Sequence, residues 1–438
     1  MLKTLRDALR IKDIRKKLLY TFMMLVVIRF GSQLPIPGVN TNYFADFFAQ
    51  QSGDAFNFFN SMTGGSFTSM SVFALSITPY ITSSIIMQLM TIAIPKLEEM
   101  QREGEDGRRK VAEYTRYLTV ALALIESIAM AVGFGGQGLL KEFDVLSVIV
   151  AVATMTAGSA LLMWIGERIT ENGIGNGISI VLLFNIISSL PNDINTLYTR
   201  FLNKGNIPVR IVTALIILAV IGAMVVFVIV LQDGERRIPV QYSQKMQGRR
   251  MVGGRSSVIP LKINTAGVIP VIFASSIMST PVMIAQFFQV DYSTFGGKIL
   301  RMLSSASWFR PDQPVYSIGL VIYLILIVVF AYFYTSITFN PLEVANNIKK
   351  QGGFIPGIRP GKPTSDYLNN ILNYIVFIGA CGLIVVSIVP IIVSGLFNIG
   401  NLSFAGTSLI IIVGVILETI KAVESQMLVR NYKGFLND

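Results

Sequence analysis

Apolar runs about as long as a membrane-spanning helix recur from one end of this 438-residue chain to the other. The clearest is residues 211–231, which hold no charged side chain. Between Asp366 and Glu418 no charge intervenes, a stretch too long for one span, with Gly395, Asn398, Gly400, Asn401 and Gly406 marking a turn inside it. A hydrocarbon core about 30 Å thick is crossed by about 20 helical residues. In lipid, moreover, the backbone must satisfy its own hydrogen bonds. The chain therefore reads as an all-α polytopic membrane protein and not as the two or three soluble domains its length would allow. Composition agrees: 14% of residues are charged, against about 25% in an average soluble domain.

Hydropathy marks ten candidate spans, at residues 18–34, 71–94, 114–134, 145–166, 177–190, 211–231, 266–288, 315–339, 371–397 and 408–428. The fifth is the weakest, short and preceded by Gly173, Gly175 and Gly177. Ten spans leave both termini on one side. Of the 36 Lys and Arg, 28 fall on that side, seven on the other, and Arg29 lies within a span. By the positive-inside rule the tails 1–17 and 429–438 and the loops 232–265 and 340–370 are cytoplasmic. The spans then divide into an N-terminal half (18–190) and a C-terminal half (211–428), joined by an external linker (191–210). A long basic lead and no small-residue cleavage site argue against an N-terminal signal peptide.

The halves carry a trace of internal repetition. Residues 79–87 read PYITSSIIM and residues 270–278 read PVIFASSIM, so Pro-x-Ile, Ser-Ser-Ile and Met recur with one residue inserted. The two segments lie five spans apart and cross the membrane in opposite senses, the pattern of two inverted five-helix halves with a site at their interface. Pro79 and Pro270 at matching places predict interrupted helices around a central cavity.

The composition excludes most catalytic chemistry. The chain has no His, which removes Ser-His and Cys-His nucleophile pairs, HExxH zinc sites and His proton relays. Its single cysteine, Cys381, can form neither an intrachain disulfide nor a thiolate cluster. Residues 133–138 match GxGxxG but end a span with no strand before them, and Pro356 and Pro363 spoil the phosphate-loop pattern around Gly361 to Thr364. No metal, cofactor or enzymatic activity is expected, so any work has to come from a partner or a gradient. Intramembrane charge, the usual mark of an ion-coupled transporter, is sparse, as at Arg29 and Glu126. Both read as structural: Arg29 can reach the far interface or hold the backbone of the Pro35–Pro37 turn.

The loops say more. Loop 232–265 carries seven Lys and Arg, among them Arg249 and Arg250, against Asp233 and Glu235. A projecting basic hairpin suits docking to an acidic protein or to RNA phosphates. Loop 340–370, with Gly352, Gly353, Pro356, Gly357, Pro360, Gly361 and Pro363, is stiff and shaped, so Arg359 is held out to a partner. The external segment 39–70 is rich in Phe, lacks Lys and Arg, and contains Gly64 and Gly65. Its aromatics either lie on the membrane interface or fold back between the helices about a Gly64-Gly65 hinge. Two functions fit: a gated conduit for polypeptide, or an inverted-repeat secondary transporter of a small solute. Sparse intramembrane charge and long basic loops favour the conduit.

Several motifs together resemble the SecY family, the channel subunits of the bacterial Sec translocon. They are PIPGV at 35–39, GEDGRRK at 104–110, YTRY at 114–117, MWIGERITENGIGNGIS at 163–179, QGRR at 247–250, INTAGVIPVIFASSIM at 263–278, FNPLEVANNIKKQGGFIPGIRPG at 339–361 and GTSLIIIV at 406–413. The resemblance implies a clamshell of two halves around an hourglass pore. An aliphatic ring would close its waist, here Ile77, Ile81, Ile178, Leu182, Ile272 and Ile411. It further implies a plug near residues 57–70 with Phe58, Phe59, Gly64, Gly65 and Phe67. The second and seventh spans would form a lateral gate with Thr82, Gln88, Asn264, Ser275 and Ser276. Arg249, Arg250 and Arg359 would engage the SecA motor or the ribosome. SecE and SecG subunits, signal sequences, unfolded polypeptide and membrane lipid are the other partners implied, and the location is the bacterial cytoplasmic membrane.

Overall fold

The computed structural model describes residues 8–41, 43, 60, 63–199, 207–242, 245–247, 250–252, 256–287, 294–304, 308, 314–397 and 406–434. Each expected span overlaps a helix: α1 (Lys12–Gly31), α2 (Thr78–Ala93), α4 (Glu105–Phe134), α5 (Val145–Asn172), α6 (Gly177–Leu197), α7 (Ile207–Asp233), α8 (Ile269–Phe287), α10 (Ile318–Thr338), α12 (Lys362–Phe397) and α13 (Gly406–Gly434). Three shorter helices, α3 (Pro95–Arg102), α9 (Phe295–Leu303) and α11 (Pro341–Lys350), run between them. Among the described residues five helical stretches are long and apolar enough to cross a membrane, at Glu105–Phe134, Val145–Asn172, Arg210–Asp233, Val315–Lys350 and Lys362–Val393. A sixth is counted if the pair Thr78–Ala93 and Pro95–Gln101, bent by 107°, is one span. The bend has a local cause. Ile94, ahead of Pro95, is forced to extended backbone at φ −113° and ψ 107°.

The structure corrects the sequence reading at three places. The second helix begins at Thr78 and not near residue 71, because 63–77 is a chain of turns in which Met70 (φ 44°) and Ser76 (φ 53°) are left-handed. Pro79 and Pro270 do not interrupt helices. Each sits at the start of one, where its missing N–H costs nothing. The match between the two segments extends upstream, since left-handed Ser76 and Gly267 (φ 64°) each stand three residues before their proline. The expected linker 191–210 is also shorter: α6 runs on through Pro191 to Leu197, and α7 already begins at Ile207.

Packing divides the apolar interior. One cluster, with Ile36, Val39, Phe67, Met130, Phe134 and Met155, fills the outer part of the first half. Another, with Val228, Val271, Tyr323, Ile327, Leu383 and Ile410, fills the second half. A third lies between them and draws Ile28, Phe73, Ile77 and Leu182 from the first half and Ile411 and Val415 from the second. The start of α1 and the end of α13 also meet, through Ile14 and Val423 and a hydrogen bond from Lys17 Nζ to Gln426 Oε1 at 3.4 Å. Away from these clusters the helices present bare apolar side chains, such as Leu215, Leu218 and Val230 on α7 and Val321, Ile325 and Val329 on α10. Such a surface is stable against lipid, not water.

The two long basic loops make one small unit. β1 (Glu235–Tyr242) pairs antiparallel with β4 (Ser256–Lys262), from Glu235 opposite Lys262 to Gln241 opposite Ser256. Beyond them β2 (Lys245–Gln247) pairs with β3 (Arg250–Val252) toward the tip. β5 (Gly353–Phe354), from the other loop, adds to the free edge of β1, giving the order β4-β1-β5. Ile238, Val240 and Leu261 of the hairpin pack with Ile348, Ile355, Leu368 and Ile371, a core separate from the membrane clusters.

Candidate functional site

The motif GIGNGIS shows how local sequence places two of the expected ring residues. Asn176 caps α6, its side-chain oxygen accepting from the N–H of Ile178 at 3.1 Å and of Ser179 at 3.4 Å. Gly177 donates its N–H to Thr170 Oγ1 at 2.9 Å and lies so close to the Gly166 carbonyl that no Cβ fits there. α6 is thereby pinned to α5, and Ile178 and Leu182, one helical turn apart, share a face. Ile77 and Ile81 stand in the same relation at the start of α2, Ile272 is in the first turns of α8, and Ile411 lies in α13.

All six meet in the central cluster. Ile77, Leu182 and Ile411 are buried within it, and Ile81, Ile178 and Ile272 are half-buried against it. Four helices from both halves thus bring branched aliphatic side chains to one place. A constriction lined in this way would be too apolar to hold water or ions, yet its side chains could change rotamer.

Above it runs the turn segment 63–77. Gly64 (φ 64°) and Gly65 (φ 85°) take left-handed backbone, which glycine adopts without the Cβ penalty. Arg29 does not hold the Pro35–Pro37 turn: its Nη1 donates to the carbonyl of Gly64 at 3.3 Å. Phe67 is buried in the first-half cluster beside Ile36 and Val39. Phe58 and Phe59 lie outside the described residues. A polar node that the sequence reading missed stands behind the segment. Asn185 Nδ2 donates to Ser76 Oγ at 2.9 Å, and Ser159 Oγ donates to the Ser76 carbonyl at 3.1 Å. All three residues are buried. Asn185 interrupting an apolar helix was the one available signal.

The expected gate residues are held mostly within their own strands of chain. Thr82 Oγ1 donates to the Thr78 carbonyl at 3.1 Å, and Asn264 Nδ2 to the Gly267 carbonyl at 3.0 Å. Ser275 Oγ donates to the Val271 carbonyl at 2.8 Å and lies 3.3 Å from the Tyr323 hydroxyl of α10. The carbonyl of Ser276 accepts from Thr280 Oγ1 at 2.6 Å. Gln88 is half-buried near the end of α2. Near their starts α2 gives Tyr80 and Ile81 to the central cluster and α8 gives Ile272, with Val268 just ahead of it.

At the other end, Arg359 is exposed on the loop between left-handed Gly357 and Gly361, and its carbonyl accepts from Thr364 Oγ1 at 2.8 Å. Arg249 lies outside the described residues, and Arg250 is described only as backbone of β3. Two sequence motifs also meet: Arg116 of YTRY bonds Glu167 of the α5 motif, Nε to Oε1, at 2.7 Å. Glu126 is half-buried on α4 and gains no role from its surroundings.

Comparison with known proteins agrees with this geometry. A solved protein-conducting channel superposes with a TM-score of 0.61 at 18% identity, covering 94% of this chain and 93% of the other. Sec61 from a canine ribosome–channel complex gives 0.59 at 18% identity, over 94% and 93%. In sequence, the protein translocase subunit SecY of Halalkalibacterium halodurans is 42% identical over the full length of both chains, and that of Streptomyces galbus is likewise 42% identical over both full lengths. The SecY family profile matches residues 71–420. With that match and full-length relatives at this identity, the chain belongs to the SecY family.

Proposed function

We propose that this chain is the conducting subunit of a bacterial protein translocase, passing unfolded secretory polypeptide across the membrane and releasing apolar segments sideways into lipid. The observation that carries the reading is the meeting of Ile77, Ile81, Ile178, Leu182, Ile272 and Ile411 in one cluster drawn from both halves. In this reading they are the pore ring, residues 57–70 are the plug above it, and α2 and α8 part to form the lateral gate. An apolar segment leaves through that gate because lipid accepts it once its backbone is helical. The relatives are named for translocation and not for solute transport, so the transporter reading has nothing in its favour.

The conduit is passive. Its energy comes from a cytoplasmic motor of the SecA kind or from the ribosome, docked on the hairpin and on the loop that presents Arg359. A SecE subunit braces the halves and SecG lies at the edge, the loop charges keep both termini in the cytoplasm, and signal sequences open the gate. The test is reconstitution with SecE and SecA, an unfolded precursor and ATP, scored by protease protection. ATP-dependent protection that is lost with Arg359→Glu supports both the conduit and the docking loop. Protection that survives the reversal removes Arg359 from docking. An intact complex with an active motor that protects nothing overturns the conduit.

A further inference from the structure

Ser76 carries left-handed backbone (φ 53°) without being glycine, a conformation an L-residue keeps only when its surroundings hold it. Two buried contacts do so, from Asn185 Nδ2 at 2.9 Å to its hydroxyl and from Ser159 Oγ at 3.1 Å to its carbonyl. The next residue is Ile77, the N-cap of α2, so the backbone at Ser76 sets the direction in which Ile77 and then Ile81 enter the central cluster. The same Asn185 meets the other end of the turn segment. A Cβ on Gly64 would come within 2.9 Å of the Asn185 carbonyl oxygen and 3.1 Å of its Cα. An asparagine is a poor choice for this helix on local grounds, since it stands among Val181, Leu182 and Ile186. Its position is accounted for by what it touches on both sides.

We propose that Asn185 is a positioning residue that couples the plug to the pore ring: Gly64 seats against its backbone while its side chain holds Ser76, so release of one loosens the other. The proposal rests on reading 57–70 as the plug and Ile77 as part of the ring.

The test uses the intact channel complex with the full chain, carrying Asn185→Leu, which keeps the volume and removes the donor, or Ser76→Ala, which removes the hydroxyl and leaves the left-handed backbone as it is. Amide exchange is read across residues 63–81, and resting ion conductance is read in planar bilayers with and without a signal peptide. Each variant is expected to speed exchange at 63–71 and at 77–81 together. Each should also raise resting conductance by about 3- to 10-fold, the effect of losing one neutral hydrogen bond. The double variant should go no further than either single one. Faster exchange confined to one side of Ser76, or two variants whose effects multiply, overturns the coupling. A merely structural role would lower stability without changing the ratio of resting to peptide-opened conductance, and that result also overturns it. If the wild type never conducts although exchange at the two ends moves together, the channel reading fails and the coupling stands.

Discussion

Arg29 Nη1 donates to the carbonyl of Gly64 at 3.3 Å, linking the last turn of α1 to the glycine pair of the turn segment. An intramembrane cation is thereby spent on a backbone oxygen that no helix or strand satisfies. This gives Arg29 a structural task, and in the proposed reading it is an anchor that opening has to break.

Breaking that anchor should unseat the segment. Arg29→Ala removes the donor, and a hydrogen bond from a charged group contributes about 1.5–3 kcal/mol. The expected outcome is a rise in resting conductance with peptide-stimulated conductance preserved, read in planar bilayers. Arg29→Lys, which can still donate, should recover part of the seal.

Gly64 should tolerate no side chain. Its φ of 64° costs an L-residue about 1–2 kcal/mol, and a Cβ would also press on the Asn185 carbonyl. Gly64→Ala should therefore raise protease sensitivity at the outer face, whereas Gly65→Ala, with nothing near its Cβ, should carry the backbone cost alone. Equal sensitivity in the two variants would count against the contact with Asn185.

The ring should seal through its apolarity. Ile81→Ser with Ile272→Ser replaces two half-buried aliphatic side chains with smaller, wettable ones. Water and ions enter a constriction once it can hydrogen-bond them, so this double variant should leak ions at rest while polypeptide still passes. A seal unchanged by both serines would move the constriction elsewhere.

The unit built from the two basic loops should unfold without the membrane helices. Ile238 is 2% exposed in the core shared by both loops, and truncating such a side chain costs about 2–5 kcal/mol. Ile238→Ala should make loops 232–265 and 340–370 sensitive to protease and weaken motor binding, with helical circular dichroism nearly unchanged.

The Arg116–Glu167 pair should be worth little. Its side chains are 45% and 20% exposed, and a pair open to solvent couples by about 0.2–1 kcal/mol. Single alanine variants should lower the melting temperature only slightly, and a double-mutant cycle in detergent measures the coupling.

How much of this could be read beforehand follows from what each level of structure depends on. The membrane class, the places of the helices and the basic loops depend on composition over windows of about 20 residues, which the chain carries locally. Where local backbone decides, hydropathy alone misplaced the boundary. The apolar stretch from residue 71 reads as helix, yet Ser76 turns left-handed and Pro79 starts the helix at Thr78. The motif GIGNGIS likewise shows a cap and close glycines only once α5 lies beside it.

Which apolar residues matter is not local at all. Ile77 and Ile411 look like dozens of other isoleucines in the chain, and they were singled out only by resemblance to a family. Hydropathy tells apolar from polar, but not whether an apolar face will meet lipid, a neighbouring helix or the other half. The meeting of six such side chains at the centre depends on the packing of four helices far apart in sequence. The same holds for β5 joining β1, and for Asn185 reaching Ser76, 109 residues away. The sequence by itself determined that the chain enters a membrane, where its helices lie and that its loops are basic, since those follow from the solvation of each segment. Only the tertiary structure decided which side chains meet at the centre and which polar groups lie beside them, because those contacts are made between segments and have no local free-energy signature.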